Sequence, residues 1–145
     1  MTRVLVLLAA LLVSCAAPVA KPAHRVGAGS RASSLETMSL AATVRSTPQS
    51  VAGYSTVGFA VRTTGTASGS WTVQYSNDYQ SGVDDPTSDA KWDTYTLSSN
   101  PPDAAGSAQT FGVRLGSFEF AWARIKFAST GGTGSATIVT QLKGN

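Results

Sequence analysis

Trp71-Thr72-Val73-Gln74-Tyr75-Ser76-Asn77-Asp78 is the stretch that decides the fold. Trp71, Val73 and Tyr75 alternate with Thr72, Gln74 and Ser76, which is the period of a half-buried strand. Ser76, Asn77 and Asp78 then stop it, because their short polar side chains bond nearby backbone and favour turns. An acidic loop containing Gly82 and Pro86 follows, and Trp92 opens the next apolar stretch.

Working outward, the same period recurs along residues 38–145. Residues 54–64 read as a strand with Val57, Phe59 and Val61 on one face. Residues 64–69 (Thr-Gly-Thr-Ala-Ser-Gly) read as a turn, so an antiparallel hairpin with 71–76 is expected. Residues 92–97 and 110–115 follow, the latter with Phe111, Val113 and Leu115 on one side. In 119–128, Ala121, Ala123, Ile125 and Phe127 face one way and Phe120, Trp122, Arg124 and Lys126 the other. The run 128–134 is a glycine-dependent turn, and 135–142 is the last strand. With a looser strand over 38–46, the spacing predicts an all-β fold. We expect an antiparallel two-sheet β-sandwich or jelly roll of about seven or eight strands, with no helix and no solenoid repeat.

Charge is unevenly placed. The net +3 of the 145 residues comes entirely from the first 37, where Arg3, Lys21, Arg25 and Arg31 face only Glu36. Residues 38–145 carry seven basic and seven acidic side chains, so no basic footprint for nucleic acid is expected on the domain. Met1-Thr2-Arg3 followed by the apolar run 4–13 has the form of a signal segment, too short to span a bilayer comfortably. It ends Leu12-Val13-Ser14-Cys15, which resembles a bacterial lipobox. The resemblance implies lipid attachment at Cys15, the chain's single cysteine. Membrane contact is expected only through this segment, and Met38 is an alternative start. Three parts result: a signal-like segment at 1–15, a flexible Ala/Pro/Gly/Ser linker at 16–37, and a β-sandwich at 38–145. His24, the single histidine, falls in the linker, where nothing orients an imidazole.

The domain offers little for catalysis. It holds neither His nor Cys, so a serine nucleophile lacks its usual base, and its acidic residues show no spacing that sets one acid against one base. We expect a protein that is not an enzyme and needs no cofactor. No metal is expected either; calcium would fall to Asp78, Asp84, Asp85 and Asp89, which lack EF-hand spacing, and the ordinary reading is a solvated acidic loop. The candidate contact surface is Trp122, Arg124 and Lys126 with Tyr79 from the loop. The alternative has Trp122 packing inward and Arg124 pairing with a loop aspartate such as Asp78 or Asp93.

The segments 72–78, Trp92-Asp93-Thr94-Tyr95 and Ala121-Trp122-Ala123-Arg124-Ile125-Lys126-Phe127 together resemble discoidin-type (galactose-binding-like) jelly rolls. With the ending Thr130-Gly131-Gly132-Thr133-Gly134-Ser135-Ala136 and Lys143-Gly144, the series is also similar to small structural proteins of bacteriophage particles. The phage resemblance implies a virion role through self-association and contact with other virion proteins. Discoidin likeness implies a carbohydrate or lipid-headgroup ligand. That fits the alternative of a lipoprotein in the bacterial outer membrane or periplasm that binds glycan or another envelope component.

Overall fold

The computed structural model describes residues 31–97 and 101–144, with backbone alone for 31 and 32. Its ten strands are β1 (Arg31–Ser39), β2 (Val44–Arg45), β3 (Gln49–Ser50), β4 (Thr56–Gly65), β5 (Ser68–Ser76), β6 (Asp93–Thr94), β7 (Ala104–Ala105), β8 (Thr110–Gly116), β9 (Trp122–Gly131) and β10 (Gly134–Lys143). There is no helix among the described residues. The cysteine, the histidine and the lipobox lie outside the described residues.

Two antiparallel sheets pack face to face. One has the order β1-β10-β4-β8. The other has β2-β9-β5-β6, with β3 also on β9 and β7 also on β5. Counting β2/β3 and β6/β7 each as one interrupted strand gives four strand positions per sheet, interleaved in an order compatible with a jelly roll. The all-β two-sheet expectation is therefore met. The extra strands are the short pairs: Pro48 falls between β2 and β3 and Pro101-Pro102 between β6 and β7, and proline removes a backbone donor.

The core follows from the alternation. Val57, Phe59 and Val61 of β4 and Ala136, Ile138 and Leu142 of β10 point inward from the first sheet. Trp71 and Val73 of β5 and Ala123, Ile125 and Phe127 of β9 meet them from the second. Trp71 packs on Phe127 at 4.7 Å between ring centroids and edge-on to Phe111 at 5.6 Å. Each fully buried side chain of this kind contributes about 1.5–3 kcal/mol of transfer free energy.

Two expectations change. The hairpin between 54–64 and 71–76 does not form: β4 pairs with β10 and β8, whereas β5 pairs with β9, β6 and β7. The turn after β4 carries the chain across the core into the other sheet. It lies against the matching crossing between β9 and β10, where the Thr66 amide donates to the Thr133 carbonyl at 2.7 Å. A Cβ on Gly132 would sit 2.0 Å from the Thr66 carbonyl oxygen, and one on Gly134 2.1 Å from that of Thr64. Alternation looks the same in a hairpin and in a crossing between sheets, and only this close backbone approach separates the two. The second change is at the domain edge. Residues 31–37, expected in the linker, belong to β1, which pairs with β10 from Arg31↔Lys143 to Ser39↔Ser135. An edge strand held by backbone pairing needs no apolar period, so composition gave no sign of it.

Candidate functional site

The loop 77–92 folds back over the outer face of β5 and β9, and the guanidinium of Arg124 makes the most bonds that hold it there. Ser76 closes β5 as its sequence suggests: its Oγ accepts the amides of Asp78 and Tyr79 at 3.1 and 3.0 Å. The chain then turns so that Tyr79 packs edge-on against Trp122 (5.1 Å) and beside Trp92 (5.3 Å). Beneath the loop, Arg124 rises from β9 and is fully buried. Its Nε donates to Gln74 Oε1 at 2.9 Å, and its Nη1 to the Pro86 carbonyl at 2.6 Å. Its Nη2 donates to the Ser88 carbonyl at 2.9 Å and to Asp89 Oδ1 at 2.6 Å. The Trp92 ring covers the other side, 4.1 Å from the guanidinium carbon. A planar fork with four of its five N–H groups bonded and its face stacked on an indole is the arrangement that makes a buried arginine tolerable.

Asp89 is the counter-charge for three cations. Arg45 of β2 grips it through Nε (2.8 Å) and Nη2 (2.6 Å), Lys126 of β9 through Nζ (2.6 Å), and Arg124 as above. The Arg45 hydrogen bonds, followed by those of Lys126, hold the Asp89 carboxyl far below the usual carboxylate range. Burial pushes Arg124 down to about 10, which leaves it cationic at neutral pH. The neighbouring carboxylates are also engaged. Asp84 bonds Lys91 Nζ at 2.9 Å and the Gln80 amide at 2.6 Å; Asp85 accepts the Thr87 amide and hydroxyl at 2.8 and 2.7 Å. Both carboxyls are lowered, chiefly by these side-chain hydrogen bonds from Lys91 and Thr87 respectively.

The expected contact surface is thus mostly covered. Arg124 and Tyr79 are buried, at 0 % and 7 % exposure, Lys126 is half-buried in its ion pair, and Trp122 is half-buried against Tyr79. Of the alternative the sequence left open, the arginine–aspartate pairing holds, with Asp89 and not Asp78 or Asp93, whereas Trp122 does not turn inward: it stays on the outer face against Tyr79. The calcium candidates do not converge. Asp84 is paired with Lys91, whose Nζ also approaches the Asp78 backbone carbonyl at 3.5 Å, and Asp89 already serves three cations. No group of three acidic, His or Cys side chains placed for a metal occurs among the described residues. Asp89, held as a permanent carboxylate with both oxygens occupied, is suited neither to donating a proton nor to ligating an ion.

Two other surfaces stand out. At one end of the sandwich a cleft of about 500 Å³ lies among Tyr75, Tyr95, Phe118 and Phe120, with Asn77 and Glu119 on its rim. Phe120 stacks between Phe118 (4.5 Å) and Tyr75 (5.1 Å), and Ser117 enters it at a φ of 55°, a conformation uncommon outside glycine. The cleft is made by residues 117–121, which break the alternation expected over 119–128 and precede β9. The other is the outer face of the β1-β10-β4-β8 sheet. There Leu35, Val139, Ala60 and Gly112 stand in register in one row across all four strands. Leu35 is 72 % exposed. No protein-family model, curated protein or solved structure matches this chain.

Proposed function

We propose that this chain is a non-catalytic structural subunit of a bacteriophage particle, working by contact with copies of itself and with other virion proteins. The observation that carries the reading is the interleaved strand order β1-β10-β4-β8 over β2-β9-β5-β6, an architecture that viral capsid domains use. A fold does not assign a function by itself. The commitment of the loop charges to internal bonds supports the reading, because it ties Asp84, Asp85 and Asp89 to architecture. So does the resemblance of residues 72–78, 92–95, 121–127, 130–136 and 143–144 to small phage structural proteins. The work is then left to surfaces, and the outer face of the β1 sheet is the open one. Mass spectrometry of gradient-purified particles from the producing culture tests this. The full chain at fixed stoichiometry in the particle band is expected; its recovery in a membrane fraction with an acylated Cys15 overturns it.

A second reading, a lipid-anchored envelope protein that binds glycan, is favoured by the cleft of Tyr75, Tyr95 and Phe118. Aromatic faces beside an amide and a carboxylate suit the C–H faces and hydroxyls of a sugar, and lectins also use jelly rolls. Glycan-array binding that is lost in Tyr95→Ala would favour it.

A further inference from the structure

We propose that β1 is a self-pairing edge, through which two copies of this chain join their four-stranded sheets into one continuous eight-stranded sheet. The inference rests on the assembly reading above and names its contact. β1 pairs with β10 alone among the described residues; its nine residues contain neither proline nor lysine, and of its two charged residues Arg31 is at the strand start and Glu36 is bonded to the Thr47 amide. The direction of its backbone groups follows from two neighbours. The Leu40 amide donates to the Gly134 carbonyl, while the Thr133 carbonyl accepts from Thr66 on the β4 side. Even-numbered residues of β10 therefore bond toward β1 and odd-numbered ones toward β4. With β1 registered evenly against β10, the amides and carbonyls of Ser33, Leu35, Thr37 and Ser39 point to the open side.

An antiparallel second copy can meet these groups in a register centred on Leu35. That register sets Leu35 against Leu35 of the second copy, Ser33 against Thr37, and Ser34 against Glu36. A register centred on Glu36 would face like charges and is disfavoured. Glu36 is also already engaged, its carboxylate accepting the Thr47 amide at 2.8 Å. Centring on Leu35 covers the exposed leucine. It also makes the row Gly112, Ala60, Val139 and Leu35 continuous with its two-fold copy. The same patch serves both partners, as a closed dimer requires. Such a contact is small, below about 1,200 Å² in total, so association depends on concentration.

Sedimentation of the full chain over a concentration series tests this, with circular dichroism to confirm folding. A monomer–dimer equilibrium is expected. Leu35→Lys should raise its dissociation constant at least tenfold. Thr37→Pro should do the same, because it deletes an outward amide and leaves the β10 ladder intact. Val83→Lys, which changes the other strongly exposed hydrophobic, should leave it unchanged. A chain that stays monomeric at every concentration overturns the inference, whether the edge is then bare or taken by residues 1–30 or another protein. So does dimerisation unaffected by Leu35→Lys and Thr37→Pro. Either result leaves the virion reading standing if the chain is still found in purified particles, and absence from particles removes that reading whatever the sedimentation shows.

Discussion

The Nη2 atom of Arg124 donates to the carboxylate of Asp89 at 2.6 Å, joining two residues 35 positions apart and fastening a loop to the sheet beneath it. Around this bond the fork of Arg124 also holds Gln74 and the Pro86 and Ser88 carbonyls. The loop 77–92 is positioned from below, by the strand it covers.

Removing the guanidinium should therefore loosen the loop and the sheet together. Arg124→Ala leaves Gln74 Oε1 and the Pro86 and Ser88 carbonyls without their donor and takes one of three cations from Asp89; at about 1–3 kcal/mol for each buried acceptor left unpaired, it is expected to cost about 3 kcal/mol or more. Arg124→Lys keeps the charge but cannot serve all four acceptors at once or lie flat on Trp92, and should fall between wild type and alanine. Urea unfolding followed by tryptophan fluorescence gives the order.

Acid should act through the same carboxylate. The folded-state pKa of Asp89 lies below its unfolded value near 3.9, so its stabilisation is fully present above that value. It is lost as pH falls toward and through the depressed folded value. Asp84 and Asp85 shift in the same direction. Thermal midpoints of wild type should fall steeply below about pH 4. In Asp89→Asn the midpoint should start lower and fall less steeply across that window. A parallel fall in both would remove Asp89 from this role.

Much of the sandwich could be read from period-two alternation: Val57, Phe59 and Val61, or Ile125 and Phe127, are buried as their spacing requires. The site was less legible. Gln74, Ser76 and Arg124 occupy the outward phase of their strands, yet all are buried, because a loop with no periodicity of its own covers that face. Alternation says which face a side chain leaves by, and nothing about what returns to cover it. The clue was chemical: a chain with few charges puts Arg124 and Lys126 on the strand next to the one that ends at the acidic loop. Which aspartate they meet depends on the path of residues 80–91, set by local bonds such as those from Gln80 to Asp84 and Thr87 to Asp85. β1 was illegible for another reason, since backbone pairing leaves no mark on side-chain pattern.

Calcium and chelators should leave the protein unmoved. Both oxygens of Asp84 and of Asp89 and one of Asp85 are already bonded, to Lys91, the three cations and Thr87 respectively. Neither millimolar calcium chloride nor EDTA is expected to shift the thermal midpoint, and a rise of several degrees with calcium would contradict the clamp as described.

Glycines packed into the two crossings should be sensitive to substitution, and one at an open strand end should not. Gly132 sits at φ 74° with the Thr66 carbonyl where a Cβ would go, so Gly132→Ala should cost at least about 2 kcal/mol. Gly116, at the end of β8, has open space around it and no positive φ; Gly116→Ala is expected to be neutral or stabilising by up to about 1 kcal/mol. Paired denaturation curves compare them.

On the function proposed above, the protein works through its open sheet surface and not through the clamped loop. Hydrogen–deuterium exchange of the full chain, dilute against concentrated, locates the contact directly. Protection gained by the amides of Leu35 and Thr37, with residues 77–92 unchanged, is the expected result. Protection gained in 77–92 or around Tyr95 and Phe118, with β1 unaltered, would contradict it.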